Sequence, residues 1–336
     1  MKNAKVLSAL GLMSLASTAA LAAGGPTLGS VLDASGVKVS GAVAASVRQN
    51  ANSAENNFQV DQALLSIAYQ PKEGFGAVVD VASGEDVASL GGNVAGGNSN
   101  VAGGNNGTSA SLTQAYLQYK TGALTVVGGR FYTAAGYEVF PVTGNLFVSR
   151  SLTFGTEPTY HTGLRASYAV NSSLTVNVGV HNGIYQDATY PYASDATANT
   201  LKNKSAEIGA TWAPTSDLSL SLTHYRSKLE TDLFSFVATY NVTSDLSLAL
   251  NADKTRGADA TNLAVYAMYA LSDKVKAGLR LEELNPDGTN NNTGAVAAVV
   301  SYAAAKNFDI RTELSDVDPQ TDKRSIGAAV QGVLKF

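Results

Sequence analysis

The 336-residue chain contains no cysteine. After its first two dozen residues it also has no run approaching the roughly 18 consecutive apolar residues that a membrane-crossing helix needs. The first absence excludes a fold stapled by disulfides. The second excludes a helical transmembrane protein. A concentrated basic patch is missing too: 23 Lys and Arg stand against 27 Asp and Glu, for a formal charge of −4. That balance argues against a nucleic-acid partner. Histidine is scarce, with only His161, His181 and His224 in the whole chain.

What is present begins with an export signal. Lys2 and Lys5 precede an apolar run from Val6 to Leu15, and Ala20-Leu21-Ala22 is followed by Ala23. This is the layout of a secretory signal peptide over residues 1–22 with a small-residue cleavage site, and the mature chain is expected to start near Ala23. Residues 23–36 read as an N-terminal lead-in, and residues 37–336 as a single domain.

Within that domain Tyr69, Tyr119, Tyr168, Trp212, Tyr240, Tyr269, Tyr302 and Phe336 each close an alternating segment. Such segments of about ten residues match the length of a membrane-spanning strand. Each aromatic shares parity with the apolar positions before it, as in Ala63, Leu65, Ile67 and Tyr69, or Val296, Ala298, Val300 and Tyr302. Tyr and Trp are most stable where one ring edge meets acyl chains and the other meets headgroups, so the repeated aromatic reads as a girdle at one membrane interface. The competing interpretation is an aromatic core layer in a soluble β protein.

Alternation predicts strands near 37–48, 58–70, 75–83, 112–120, 124–131, 160–169, 174–182, 204–213, 218–227, 232–240, 246–253, 262–270, 274–283, 294–303, 308–314 and 325–336. The even count suits a closed antiparallel transmembrane β-barrel, and closure is required because an open strand edge in hydrocarbon leaves backbone N–H and C=O groups unpaired. Tight turns such as Thr121-Gly122 and Thr243-Ser244-Asp245 follow the aromatics and are expected in the periplasm. The longer connections on the other side, 84–111, 132–159, 184–203 and 284–293, are expected outside the cell. The first of these repeats Val-Ala-Gly-Gly-Asn, cannot bury a core, and reads as a mobile surface loop.

The opposite parity should line a wetted lumen, with Arg130, His161, Arg165, His181, Lys276, Arg280, Glu282, Arg311 and Glu313 as candidate lining residues. Segment 132–159 is unlike the Gly-Asn loop because it is aromatic and nearly uncharged. With Tyr137, Glu138, Phe140, Phe147 and Arg150 it is a candidate constriction folded into the lumen, or else a compact external loop packed on its own aromatics. Phe336 is the candidate assembly signal read by the insertion machinery. No metal site is expected: His161 and His181 lack a ligand spacing, and Asp316, Asp318 and Asp322 read as a solvated loop.

Gly129-Arg130-Phe131, Gly136-Tyr137-Glu138, Ser149-Arg150-Ser151-Leu152 and His161-Thr162-Gly163-Leu164-Arg165-Ala166-Ser167-Tyr168 together resemble the central block of the outer-membrane β-barrel porin family described as OmpL-like. Where members often carry Pro before the Gly-Tyr-Glu, this chain has Ala134-Ala135. The resemblance implies a pore without naming a solute. About sixteen strands leave an aqueous channel rather than a side-chain-filled core, so the expectation is passive diffusion of small hydrophilic solutes or ions, with no covalent chemistry and no cofactor. Its setting would be the outer membrane of a Gram-negative bacterium. Its partners would be outer-membrane lipid, the insertion machinery and the solutes, with a homotrimer among the admissible assemblies. Arg165, Arg280 and Arg311 against Asp80 near mid-strand suggest a weak anion preference. Alternatives from other classes are a surface adhesin or envelope-structural barrel, and a barrel hydrolase using His161 with Ser149 or Ser151.

Overall fold

The computed structural model describes residues 28–50, 56–89, 110–185, 204–228, 232–256, 260–285, 292–320 and 322–336. The expected signal peptide and its cleavage site lie outside the described residues, as do the Val-Ala-Gly-Gly-Asn repeat and the centres of two other long connections.

A short helix, α1 (Leu28–Ser35), occupies the lead-in, and sixteen strands follow. They are β1 (Val37–Asn50), β2 (Asn56–Tyr69), β3 (Gly74–Ser83), β4 (Ser111–Thr121), β5 (Leu124–Tyr132), β6 (Tyr160–Ala169), β7 (Leu174–His181) and β8 (Ser205–Trp212), then β9 (Leu218–Ser227), β10 (Asp232–Asn241), β11 (Leu246–Arg256), β12 (Thr261–Ser272), β13 (Val275–Asn285), β14 (Thr293–Ala305), β15 (Phe308–Pro319) and β16 (Ser325–Lys335). Each pairs antiparallel with its sequence neighbours, and β16 returns to β1, closing the barrel. The seam runs from Ala42 opposite Lys335 to Asn50 opposite Gly327, and Phe336 extends it by exchanging two backbone hydrogen bonds with Gly41. A second helix, α2 (Glu85–Ser89), follows β3.

Alternation explains the wall. The eight girdle aromatics are 41 to 62 % exposed, Leu65, Val265, Leu279 and Val300 above them are exposed too, and this exposed surface is the one that meets lipid. Ala264 and Ser301, their inward neighbours, are buried. The short turns satisfy their own backbone through local side chains: Asn171 Oδ1 accepts from Ser173 N and Leu174 N, and Thr243 Oγ1 accepts from Leu246 N at 3.0 Å. Besides register shifts beside the β12–β13 and β14–β15 turns, two bulges shift parity within the wall. One lies on β2 opposite Ala44 and Ala45 and turns Asp61 inward beside Gln62; the other, on β4, turns Thr113 inward beside Gln114.

The core lies inside the barrel. Segment 133–159 folds back within it through two short 3-10 turns, Val142–Gly144 and Phe154–Thr156. Phe147 packs there against Ala249, Ala264, Tyr266, Ala297 and Val299. Small wall residues make the hollow it fills: a Cβ on Gly278 would stand 3.0 Å from Phe147 Cζ.

Candidate functional site: the barrel lumen and its inner loop

The inner loop is held by inward side chains from strands around much of the barrel. On its way in, Ala134 N donates to the hydroxyl of Tyr225 on β9 (2.9 Å), and Gly136 N donates to Ser235 Oγ on β10 (3.1 Å). The Tyr137 ring then lies 4.5 Å from that of Tyr266 on β12. Further along, Gln62 on β2 clasps the backbone twice, accepting from Val142 N at 2.9 Å and donating to Phe140 O at 3.0 Å. Glu313 on β15 accepts from Val148 N (2.6 Å) and Ser149 N (3.1 Å). On the return, Asn251 on β11 donates to Glu157 Oε1 at 3.0 Å.

Arg280 on β13 is the hub. Its guanidinium pairs with Glu138 of the loop at 3.0 Å and with Glu282 of its own strand at 2.5 Å. It also donates to Ser149 O and Ser149 Oγ, each at 2.9 Å, and lies 4.8 Å above the Phe147 ring. Burial there is nearly complete, so each charge is supported by a partner rather than by water. Arg150 donates to Val139 O and Phe140 O, both at 2.6 Å, which ties the loop to itself. Outside the strands, burial raises the Glu157 carboxyl well above its usual range, and the nearby charge of Asp253 raises it further. Burial also raises the Asp86 carboxyl, opposed by the Arg150 and Arg48 guanidiniums.

A second cluster sits on the opposite wall. Arg165 on β6 holds Glu207 on β8 through two 2.7 Å contacts and donates to Tyr132 O at 3.0 Å. Beside it His161 and His181 stack at 4.4 Å. Among the described residues no serine hydroxyl bonds to a ring nitrogen of His161, and Ser149 is bound to Arg280.

Below the loop is a cavity of about 510 Å³, lined on one side by Tyr137, Glu138 and residues 143–147. Lys276, Asp309, Arg311 and Lys335 line the other side, with Asp245, Asp273 and Lys274 of the short turns also in its wall.

Three expectations need correction. Arg130 does not line the lumen. It is paired across the sheet with Thr162 on the outer face, where its guanidinium lies 4.6 Å above the Tyr160 ring and donates to Leu112 O. Gly128 and Gly129 precede it and carry no side chain to mark parity, and a long cation at a strand top can reach the interface from the lipid side. Second, the wall charges Arg280, Glu282, Arg311 and Glu313 do not face open water, because the inner loop covers them. Third, His161 and His181 do meet, since adjacent strands place them together despite their separation in sequence. Sequence reasoning also passed over Gln62, Tyr225, Asn251 and Glu157. Gln62 and Asn251 carried a signal, being polar positions on the inward parity of apolar strands.

A family model described as "Putative beta-barrel porin-2, OmpL-like" matches residues 34–330. The chain belongs to this family. Among curated proteins, none matches the sequence. Among solved structures, the barrel is similar to OprB of Pseudomonas putida in its high-pH structure, with a TM-score of 0.66 at 14 % identity over 91 % of this chain and 96 % of that one. It is also similar to a multiply substituted porin of Rh. blastica, with a TM-score of 0.59 at 14 % identity over 89 % of this chain and 100 % of that one. A third likeness is to OmpT of Vibrio cholerae lacking loop L8, with a TM-score of 0.58 at 15 % identity over 89 % and 99 % of the two chains. At these identities the likeness speaks for the fold, and the family match for a porin. The porin is thus an outer-membrane channel with sixteen antiparallel strands and a loop inside.

Proposed function

We propose that this porin passes small hydrophilic solutes and ions, that the inner loop sets its aperture, and that passage weakly favours anions. The observation carrying the preference is the pairing pattern of the wall cations. Arg165 is neutralised by Glu207, and Arg280 by Glu138 and Glu282. Along the cavity, Lys335 is matched by Asp309 at 2.6 Å, whereas Lys276 and Arg311 form no salt bridge within 4 Å among the described residues, although Asp309 and Glu313 stand near Arg311. Lys274 is outweighed by Asp245 and Asp273 of the turns, so the remaining small positive excess rests on Lys276 and Arg311, and Arg165 and Arg280 contribute little to it. Such a field decays over a Debye length of about 8 Å at physiological ionic strength, so the preference fades as salt rises.

Reversal potentials across a KCl gradient test this. Chloride should permeate more readily than potassium, and Lys276→Gln with Arg311→Gln should abolish the difference. Cation selectivity, or a preference untouched by both changes, would refute it. The same proposal includes export by cleavage near Ala23, recognition of Phe336 by the insertion machinery, and assembly as a homotrimer counted by native mass measurement.

A further inference from the structure

The cluster on β6, β7 and β8 has an arrangement that the channel does not use. His161, His181 and Glu207 are 2 %, 1 % and 3 % exposed, and one donor atom from each lies within 4.8 Å of the other two. His181 Nε2 is 3.4 Å from Glu207 Oε2. Neither ring nitrogen of His181 makes a hydrogen bond, and His161 has none beyond a backbone contact with Gly183. A neutral imidazole carries one N–H donor and one bare acceptor, so most of the pair's hydrogen-bonding capacity stands unmet in a water-poor place, where unmet polar groups are destabilising.

The backbone makes room for this. A Cβ on Gly179 would stand 2.6 Å from His181 Nε2, so the missing side chain lets the imidazole lie down the wall toward Glu207. Glu207 is itself oriented from behind. Arg165 holds both its oxygens, and Asn177 donates to Oε1, leaving Oε2 directed at His181. This is how outer partners commonly fix a metal-binding carboxylate.

We propose that His161, His181 and Glu207 bind one late first-row divalent ion of the Zn²⁺, Ni²⁺ or Cu²⁺ class. Two imidazoles and one carboxylate suit these ions, whereas Ca²⁺ and Mg²⁺ want all-oxygen sites. With bonds of about 2.0 to 2.2 Å the donors must draw in by about 1 Å, which rotation of either imidazole supplies. The ion would lock three adjacent strands together. It would also brace the foot of the inner loop, because the His161 ring lies 4.6 Å from that of Tyr225, whose hydroxyl accepts from Ala134 N.

The test uses the full barrel, purified without a polyhistidine tag, folded in detergent and stripped with EDTA. Titration with ZnCl₂ and NiCl₂ by calorimetry should give one ion per chain, with CaCl₂ giving none. His161→Gln with His181→Gln should weaken Zn²⁺ binding by at least about tenfold, and His224→Gln should leave it unchanged. Equal binding by wild type and the double variant would overturn the proposal, as would no binding by wild type. Should the double variant fail to fold, Cu²⁺ spectroscopy on the wild type decides. Nitrogen coupling from two imidazoles supports the site, and coupling from fewer refutes it.

Discussion

Replacing Arg280 by Gln should open the channel without unfolding the barrel. The guanidinium is shared between Glu138 of the loop and Glu282 of the wall, and all three side chains are 3 % exposed or less. Removing one partner of a buried pair costs about 3 to 5 kcal/mol, because the remaining charge keeps its desolvation penalty and loses its compensation. The sixteen-strand hydrogen-bond network does not depend on Arg280, but the loop's seat does. The molecule can therefore relieve the two stranded carboxylates by letting the loop leave and water enter. A bias of about 3 kcal/mol multiplies the unseated population by roughly a hundred. Single-channel recording in a planar bilayer should show higher or noisier conductance, and trypsin should cut after Arg150, which in the seated loop is bound to Val139 O and Phe140 O. Glu138→Gln should have a smaller effect, because Arg280 keeps Glu282. Arg324→Gln, which breaks the exposed pair with Asp316, should change neither readout. A folded Arg280→Gln barrel with wild-type conductance and an uncut Arg150 would refute the view that this arginine seats the loop.

Val265→Arg and Leu279→Arg should each lower stability in a folding titration by about 2 to 4 kcal/mol if they lie near mid-membrane. Ser221→Arg on the inner face should be tolerated, whereas Gly278→Arg should not, because Leu146 and Phe147 occupy that space; equal losses at 265 and 221 would mean the register is off by one. The raised carboxyl of Glu157 makes the loop's seat weaken as pH climbs, because the seated state binds a proton that the released state gives up. Trypsin sensitivity at Arg150 should thus increase from about pH 4.5 upward until the raised value is passed, and Glu157→Gln should flatten the profile. Deleting Phe336 should reduce the heat-modifiable folded protein recovered from outer membranes, and an unchanged yield would exclude an assembly role.

The wall was legible because lipid imposes a period of two on every strand, and the girdle aromatics mark where each strand stops. Parity failed where the chain itself departs from it. Continued outward from Ala63, it would put Asp61 into hydrocarbon, and the bulge opposite Ala44 and Ala45 is what brings that carboxylate inside to Ser46, Arg48 and Gln331. The aromatic content of 132–159 pointed to an unusual loop, but its partners were not legible. Gln62, Asn251, Arg280 and Glu313 lie far from it in the chain and carry no local pattern that names a loop as their ligand. The histidine pair escaped for the same reason: metal spacings learned from helices and turns do not describe residues set side by side by cross-strand register.

The seam between β1 and β16 has a consequence for biogenesis. Its pairs join the first membrane strand to the last, Ala42 to Lys335, with Phe336 bonded to Gly41. The barrel cannot close before β16 reaches β1, and every earlier species has two raw edges that would pair with whatever strand they meet. Closure over so long a chain separation is intrinsically slow. The open sheet must therefore stay guarded until one late step, in which β16 meets β1.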